Sequence, residues 1–406
     1  MQKKLYNRWL VVLGGIIIQF CLGATYSWSV VQLPLQKMFN WNAKEVSLAF
    51  SLALALGPIL MILTGRLLDK LGPTKMGLIG AVFLAGGQFM TSRITDLSGL
   101  YLSYGLMVGT GLGISYGIPI ATCVRWFPDK RGMISGLAVA GYGLGSVFFA
   151  PIATYLVELH GPLNMFFYQS IYSLIIVSIG ALLMRPAPDN FVPEGWIPPT
   201  TKNLNNPTSY SFTTREMLKT PNYYFLVIMY AFATIAGLMI IGHASPIGQQ
   251  VAGLTAIQAG SVVSILAIVN TLGRLFWPTL SDKIGRMRVV FFMYLISSLT
   301  MFSLNSLSNF SLYALGVGLI AFCFGGAMGT FPSITADFYG AKNVSTNYGF
   351  IFLAYTIGAL FGPRLASTVV VSSGGSYHLA FIVSGILCAI GAIMALISRP
   401  PRSPEK

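Results

Sequence analysis

Charge is what this sequence has least of. Asp, Glu, Lys and Arg make up 9% of its 406 residues while 54% are hydrophobic, and the mean hydropathy is +0.71. Soluble domains are about a quarter charged, so that class is excluded and an integral membrane protein is indicated. Histidine, at three copies, and cysteine, at four, are scarce as well. Cys21, Cys123, Cys323 and Cys388 lie in or beside apolar runs and share no CxxC or other metal-ligand spacing. They read as small buried hydrophobes, and no metal or cofactor is expected. The apolar runs contain no HExxH, no GxSxG and no cluster of histidine with acid, which argues against an enzyme. The net charge of +14 does not imply a nucleic-acid partner, because the basic residues are scattered between apolar runs and not gathered on one face.

What is abundant is apolar sequence long enough to cross a bilayer. In the first half the runs are 9–31, 46–64, 76–91, 97–124, 133–156 and 165–184. A polar, proline-rich stretch follows, and then come 221–246, 256–280, 289–304, 310–332, 345–371 and 378–398. The first run is too long for a signal-peptide core and is expected to stay as the first helix. The expected fold is all-α and membrane-embedded: twelve transmembrane helices in two six-helix, pseudo-symmetric halves, residues 1–184 and 221–406, joined by a cytoplasmic linker at 185–220. If both termini are cytoplasmic, only Lys37, Lys44 and Arg93 fall outside, Arg274 and Arg364 lie within spans, and the other twenty of 25 basic residues fall inside. That bias sets the topology and accounts for the net charge.

An internal repeat supports the two halves. After the second span comes Gly65-Arg66-Leu67-Leu68-Asp69-Lys70-Leu71-Gly72-Pro73-Thr74-Lys75, and after the eighth comes Ser281-Asp282-Lys283-Ile284-Gly285-Arg286-Met287-Arg288. A glycine turn carrying an acid and several cations suits a loop that pairs with a neighbouring helix end and releases it during rocking. Asp69, Lys70, Gly72, Asp282, Lys283 and Gly285 are therefore candidate gating residues.

These loops and the six-plus-six pattern resemble the major facilitator superfamily over nearly the whole chain. More specific runs are Tyr116-Gly117-Ile118-Pro119, Arg125-Trp126-Phe127-Pro128-Asp129-Lys130-Arg131-Gly132 and Gly141-Tyr142-Gly143-Leu144-Gly145. With Arg274 ahead of the second loop copy and Asn347-Tyr348-Gly349-Phe350, they resemble the oxalate–formate antiporter and monocarboxylate transporter branch. The resemblance implies the major facilitator fold and transport of small carboxylates by alternating access.

Arg274 is the most informative residue. It sits about seven positions before the inner end of its span, roughly 10 Å deep, where an uncompensated arginine costs at least about 2.5 to 3.5 kcal/mol. All 11 acidic residues lie in loops or at span ends, so an anionic ligand is the natural partner, and the planar guanidinium suits a carboxylate. Bonding to backbone carbonyls or snorkelling to the inner surface is the plainer alternative. Asn270, one turn earlier on the same face, reads either as a second carboxylate contact or as helix-to-helix glue.

In the antiporter branch a second cation follows the Asn-Tyr-Gly-Phe stretch; Tyr355 stands there in this chain. One cation favours a monoanion over a dianion. Arg364, nine residues on, reads as an outer gating residue or as a second substrate cation. Tyr26, Trp28, Tyr116, Tyr142, Phe324 and Phe352 occupy cavity-lining positions of the family, although any one aromatic can equally be packing. His243 is a proton-site candidate, while the lysine of span one and the aspartate of span eight found in proton-coupled relatives are absent. Gly109, Gly113, Gly117, Gly132, Gly136, Gly141 and Gly145 fall at small-xxx-small spacing and imply close helix packing.

The expectation is a monomeric, lipid-embedded carrier of the cell membrane that binds a small monocarboxylate such as lactate or pyruvate at Arg274 together with a proton. A carboxylate exchanger and a substrate-binding sensor remain as alternatives.

Overall fold

Helices in this chain stop where the sequence supplies a turn residue. Gly72 and Gly285, the glycines of the two repeat copies, hold φ of 81° and 99°, a region in which a Cβ is costly. Each ends one long helix and starts the next. Gly161, φ 79°, similarly breaks a 53-residue helix, and Pro162 after it suits the first helical position.

The computed structural model describes residues 6–41, 43–188, 191–193, 210–372 and 376–402. The first span is α1 (Arg8–Leu22), a 3₁₀ stretch (Gly23–Ser27) and α2 (Trp28–Phe39). Then come α3 (Ala43–Leu71), α4 (Pro73–Thr91) and α5 (Leu97–Leu100), which runs through π-helical turns (Tyr101–Val108) into α6 (Gly109–Trp126). After α7 (Arg131–Leu183) and the single turn α8 (Thr214–Met217) follow α9 (Pro221–Val251), α10 (Ala256–Ile284) and α11 (Arg286–Ser303). The last three are α12 (Phe310–Tyr339), α13 (Val344–Ser372) and α14 (His378–Ile397). Among the described residues there is no strand.

Among the described residues, ten stretches are long and apolar enough to cross a membrane. Counting α7 as two helices about Gly161 and adding the 19-residue α4 gives the twelve spans of the hydropathy pattern. Leu63, Leu299 and Ile393 are each more than 60% exposed, an outward apolar surface of the kind that membrane-spanning helices present. The four cysteines are buried and unbridged, as expected from their neighbours.

The chain divides into two units: residues 1–129, 137–198 and 348–350, and residues 130–136, 199–347 and 351–406. In the first unit, α6 packs on α3 through glycines in register. A Cβ on Gly109 would stand 2.8 Å from Ala53, one on Gly113 2.9 Å from Gly57, and one on Gly117 3.0 Å from Met61. Four-residue steps on both helices keep one face against the other. In the second unit, α10 and α12 cross backbone to backbone, since a Cβ at Gly273 or Gly325 would overlap the carbonyl of Phe322 or Asn270. That crossing fixes the stretch of α10 that carries Arg274.

Candidate functional site

α10 opens on a reciprocal cap between Thr255 and Gln258 and carries Arg274 deep in the second unit, 5% exposed. Its Nε donates to Asn270 Oδ1 at 3.2 Å, and Asn270 Nδ2 donates to the Ala321 carbonyl of α12 at 3.0 Å. The amide therefore spends both ends inside the protein and aims the guanidinium. Trp277, one turn on, is buried with its indole N–H unpartnered among the described residues.

The other expected site residues of this unit make their own aromatic contacts. Phe352 and Tyr355 stack at 5.1 Å, with Tyr230 6.0 Å from Phe352 and stacked on Phe331 at 4.1 Å. Phe324 lies against Gly237 and lines a small cavity of about 20 Å³ together with Tyr294, Phe331, Cys323 and Cys388. His243 is half-buried, edge-on to Tyr377 at 6.0 Å, with Nδ1 unpartnered among the described residues. It sits on α9 and meets Tyr377 at the head of α14.

In the first unit, Tyr116 and Tyr142 meet edge to face at 6.0 Å. Gln19 donates to the Tyr116 carbonyl at 3.1 Å, fully buried, with its own Oε1 unpartnered among the described residues. The sequence signal for Gln19 was available, for it is the one amide between Trp9 and Val31. Trp28 lies among Tyr104, Phe50 and Phe166 at 4.3 to 6.3 Å, 3% exposed, in the interior of its unit. The side chains of Tyr26 and Arg364 lie outside the described residues.

The two loop copies make different contacts. Asp69 pairs with Arg125 at 2.7 Å. Asp282 accepts from the backbone N–H groups of Gly132 and Met133 at 2.9 and 2.7 Å and pairs with Arg286 at 2.7 Å. A carboxylate at the first N–H groups of α7 meets the positive end of the helix dipole. Asp337 completes this group by bridging Arg131 at 2.8 Å and Arg286 at 2.7 Å. Lys70 and Lys283 are exposed. The Arg131–Asp337–Arg286 bridge was not foreseen, because more than 200 residues separate Arg131 from Asp337.

A further contact set involves the end of the linker. Phe212, 1% exposed, donates its N–H to Tyr339 O at 2.9 Å, and its carbonyl accepts from Asn343 and Asn347 at 2.9 and 3.2 Å. Asn347 Oδ1 also accepts from the Thr214 hydroxyl at 2.9 Å.

The sequence profile of the Major Facilitator Superfamily matches residues 15–363 and 307–406. An uncharacterised MFS-type transporter, YhjX, of Escherichia coli is 34% identical over 360 residues, 87% of this chain and 86% of that one. The oxalate:formate antiporter of Oxalobacter formigenes is 31% identical, covering 97% and 92%. Monocarboxylate transporter 13 of Rattus norvegicus is 25% identical, covering 96% and 88%. Among solved structures, the MFS transporter FucP in the outward conformation superposes with a TM-score of 0.73 at 16% identity, over 98% of this chain and 99% of that one.

Proposed function

The chain belongs to the Major Facilitator Superfamily, a multi-pass membrane transporter and not an enzyme, and we propose that it carries a small monocarboxylate of the lactate or pyruvate type together with a proton. The observation that carries this reading is Arg274: a permanently charged guanidinium, 5% exposed on a membrane span, whose Nε is oriented by a neutral amide. An acid at that place would satisfy the arginine internally; an amide orients it without cancelling its charge. A substrate carboxylate is then bound by the guanidinium fork, and the loaded site can close because its net charge is lower than that of the empty one. Tyr116, Tyr142, Phe324, Phe352 and Tyr355 are proposed to shape the apolar wall, with Asn270 orienting the anchor. The proton travels on His243 or as the undissociated acid. The two six-helix halves rock about the site, with Asp69, Asp282 and their glycine turns gating the cytoplasmic side, where both termini and the 185–220 linker lie in the cell membrane topology proposed here.

Exchange of one carboxylate for another is the second reading, favoured by the 31% identity to the oxalate:formate antiporter. Labelled lactate uptake into proteoliposomes separates the two. Uptake driven by an acidic exterior, blocked by pyruvate and not by oxalate, is expected for the symporter. Uptake that ignores pH, needs internal anion and is blocked by oxalate would replace it with the exchanger. Arg274→Lys keeps the charge and loses the planar fork, and wild-type uptake in that variant would remove Arg274 from the binding role.

A further inference from the structure

Pro278 stands one turn after Arg274 inside α10. Proline has no N–H, so the ladder bond that would run from position 278 to the Arg274 carbonyl is not made, and the helix is free to open on that side. Two glycines of the same unit occupy the opening. A Cβ on Gly136 of α7 would overlap the Arg274 carbonyl oxygen and lie 3.0 Å from the Pro278 ring. A Cβ on Gly329 of α12 would stand 2.8 Å from the same oxygen and 2.6 Å from Pro278 Cγ. Gly132 repeats the arrangement one turn away, its missing Cβ falling on the Pro278 carbonyl. Ser135 ties α7 to α12 by donating to Gly329 O at 2.8 Å, and Asp282 holds the first N–H groups of α7.

The register is consistent along both helices. Positions 132 and 136 of α7 meet the carbonyls at 278 and 274 of α10, four residues apart on each side, so α7 rests on the backbone of the turn that bears the anchor. We propose that Gly136 is a positioning residue for transport: it lets the first two turns of α7 seat directly on the Arg274 carbonyl, so that a shift of Arg274 on taking an anion is passed to α7 through backbone contact. This rests on the reading of Arg274 as the anion anchor. Glycine is required at 136 by the close approach itself, as at other backbone crossings.

The test separates seating from binding. Gly136→Ala adds one methyl group at the contact, and Gly318→Ala, in α12 where no atom lies within 4 Å of the added Cβ, is the control. Reconstituted Gly136→Ala is expected to bind labelled lactate within about threefold of the wild-type Kd, since the guanidinium is untouched, while lactate counterflow falls at least tenfold (in free-energy terms about 1.4 kcal/mol per tenfold). Pro278→Ala, which restores the ladder donor without adding bulk to α7, is expected to show the same split more weakly and covers the case in which Gly136→Ala does not insert. A substrate-independent readout is the rate at which a cysteine placed at the exposed Lys130 reacts with an impermeant maleimide; it should rise in Gly136→Ala and not in Gly318→Ala. Wild-type counterflow in Gly136→Ala, or a Kd that worsens in step with the loss of counterflow, overturns the proposal. Arg274→Lys run beside it tells the two ideas apart: wild-type binding there removes the anchor, whereas loss of binding there with normal counterflow in Gly136→Ala removes only the seating role.

Discussion

Arg274 donates through Nε to the side-chain oxygen of Asn270, 3.2 Å away and one helical turn earlier, and the same amide donates to the Ala321 carbonyl across the helix interface. Both ends of Asn270 are bonded within the protein. Its contribution is to choose which edge of the guanidinium is spent within the protein.

Asn270→Ala should therefore weaken the anchor without removing its charge. Hydrogen bonds to charged groups are worth about 1.5 to 3 kcal/mol, so KM for the carboxylate is expected to rise tenfold or more while the amount of inserted protein stays the same. Asn270→Asp sets a carboxylate at Nε in competition with the substrate, and uptake should become strongly dependent on acid. An uptake profile for Asn270→Asp that stays flat from pH 5.5 to 7.5 would contradict this.

The repeat turns give a stability prediction. Gly72 and Gly285 sit at φ 81° and 99° with no atom within 4 Å of an added Cβ, so alanine there meets backbone strain and no clash. Each alanine should cost about 1 to 2 kcal/mol, and asparagine less, because it tolerates positive φ better. Thermal unfolding of the detergent-solubilised variants checks the order; equal stability of the alanine and wild-type proteins would be the contrary result.

The linker end is expected to come loose on Phe212→Ala. The ring is buried between Tyr210 and Tyr339, 5.0 and 5.5 Å from them, and truncating a buried phenylalanine costs about 3 to 5 kcal/mol. Trypsin should then cleave at Arg215 at least tenfold faster than in the wild-type protein. Asn347→Ala, which removes one of two donors to the Phe212 carbonyl and the acceptor for Thr214, should give a smaller increase. Unchanged cleavage in both variants would show that the strap is held elsewhere.

The pH dependence of that strap follows from Glu216. The Tyr210 hydroxyl first, then the Thr213 backbone N–H and hydroxyl, hold its carboxyl below the usual carboxylate range. A depressed folded value means that the stabilisation is complete above the unfolded value of about 4.3 and is lost as pH falls through the lower folded value. Strap docking should then be constant from pH 7.5 to 5.5, and Glu216→Gln should leave the shape of the uptake profile in that window unaltered. A changed profile would make Glu216 part of the coupling.

How much of this was legible beforehand differs by residue. The twelve spans were, because hydropathy is a local property and each apolar run closes its own backbone hydrogen bonds. Arg274 and Asn270 were legible as a pair because four residues on a helix make neighbours. That Asn270 could tie two helices together was legible too, but not its partner, since Ala321 offers only a backbone carbonyl 51 residues away. Trp28 reads identically whether it lines a cavity or packs between Tyr104 and Phe166, and only tertiary contacts decide. The Asp337 bridge and the Phe212 anchor depend on pairings across more than 100 residues, with no periodicity to announce them.

The break at Gly161 has a practical side. Two spans meet there through a single non-helical residue, so this end of the hairpin offers no loop into which an epitope, a protease site or a fluorescent tag could be spliced. Anything inserted at that point has to be cut into the helices themselves, and a topology map of this region is better drawn with single-residue labels than with fusions.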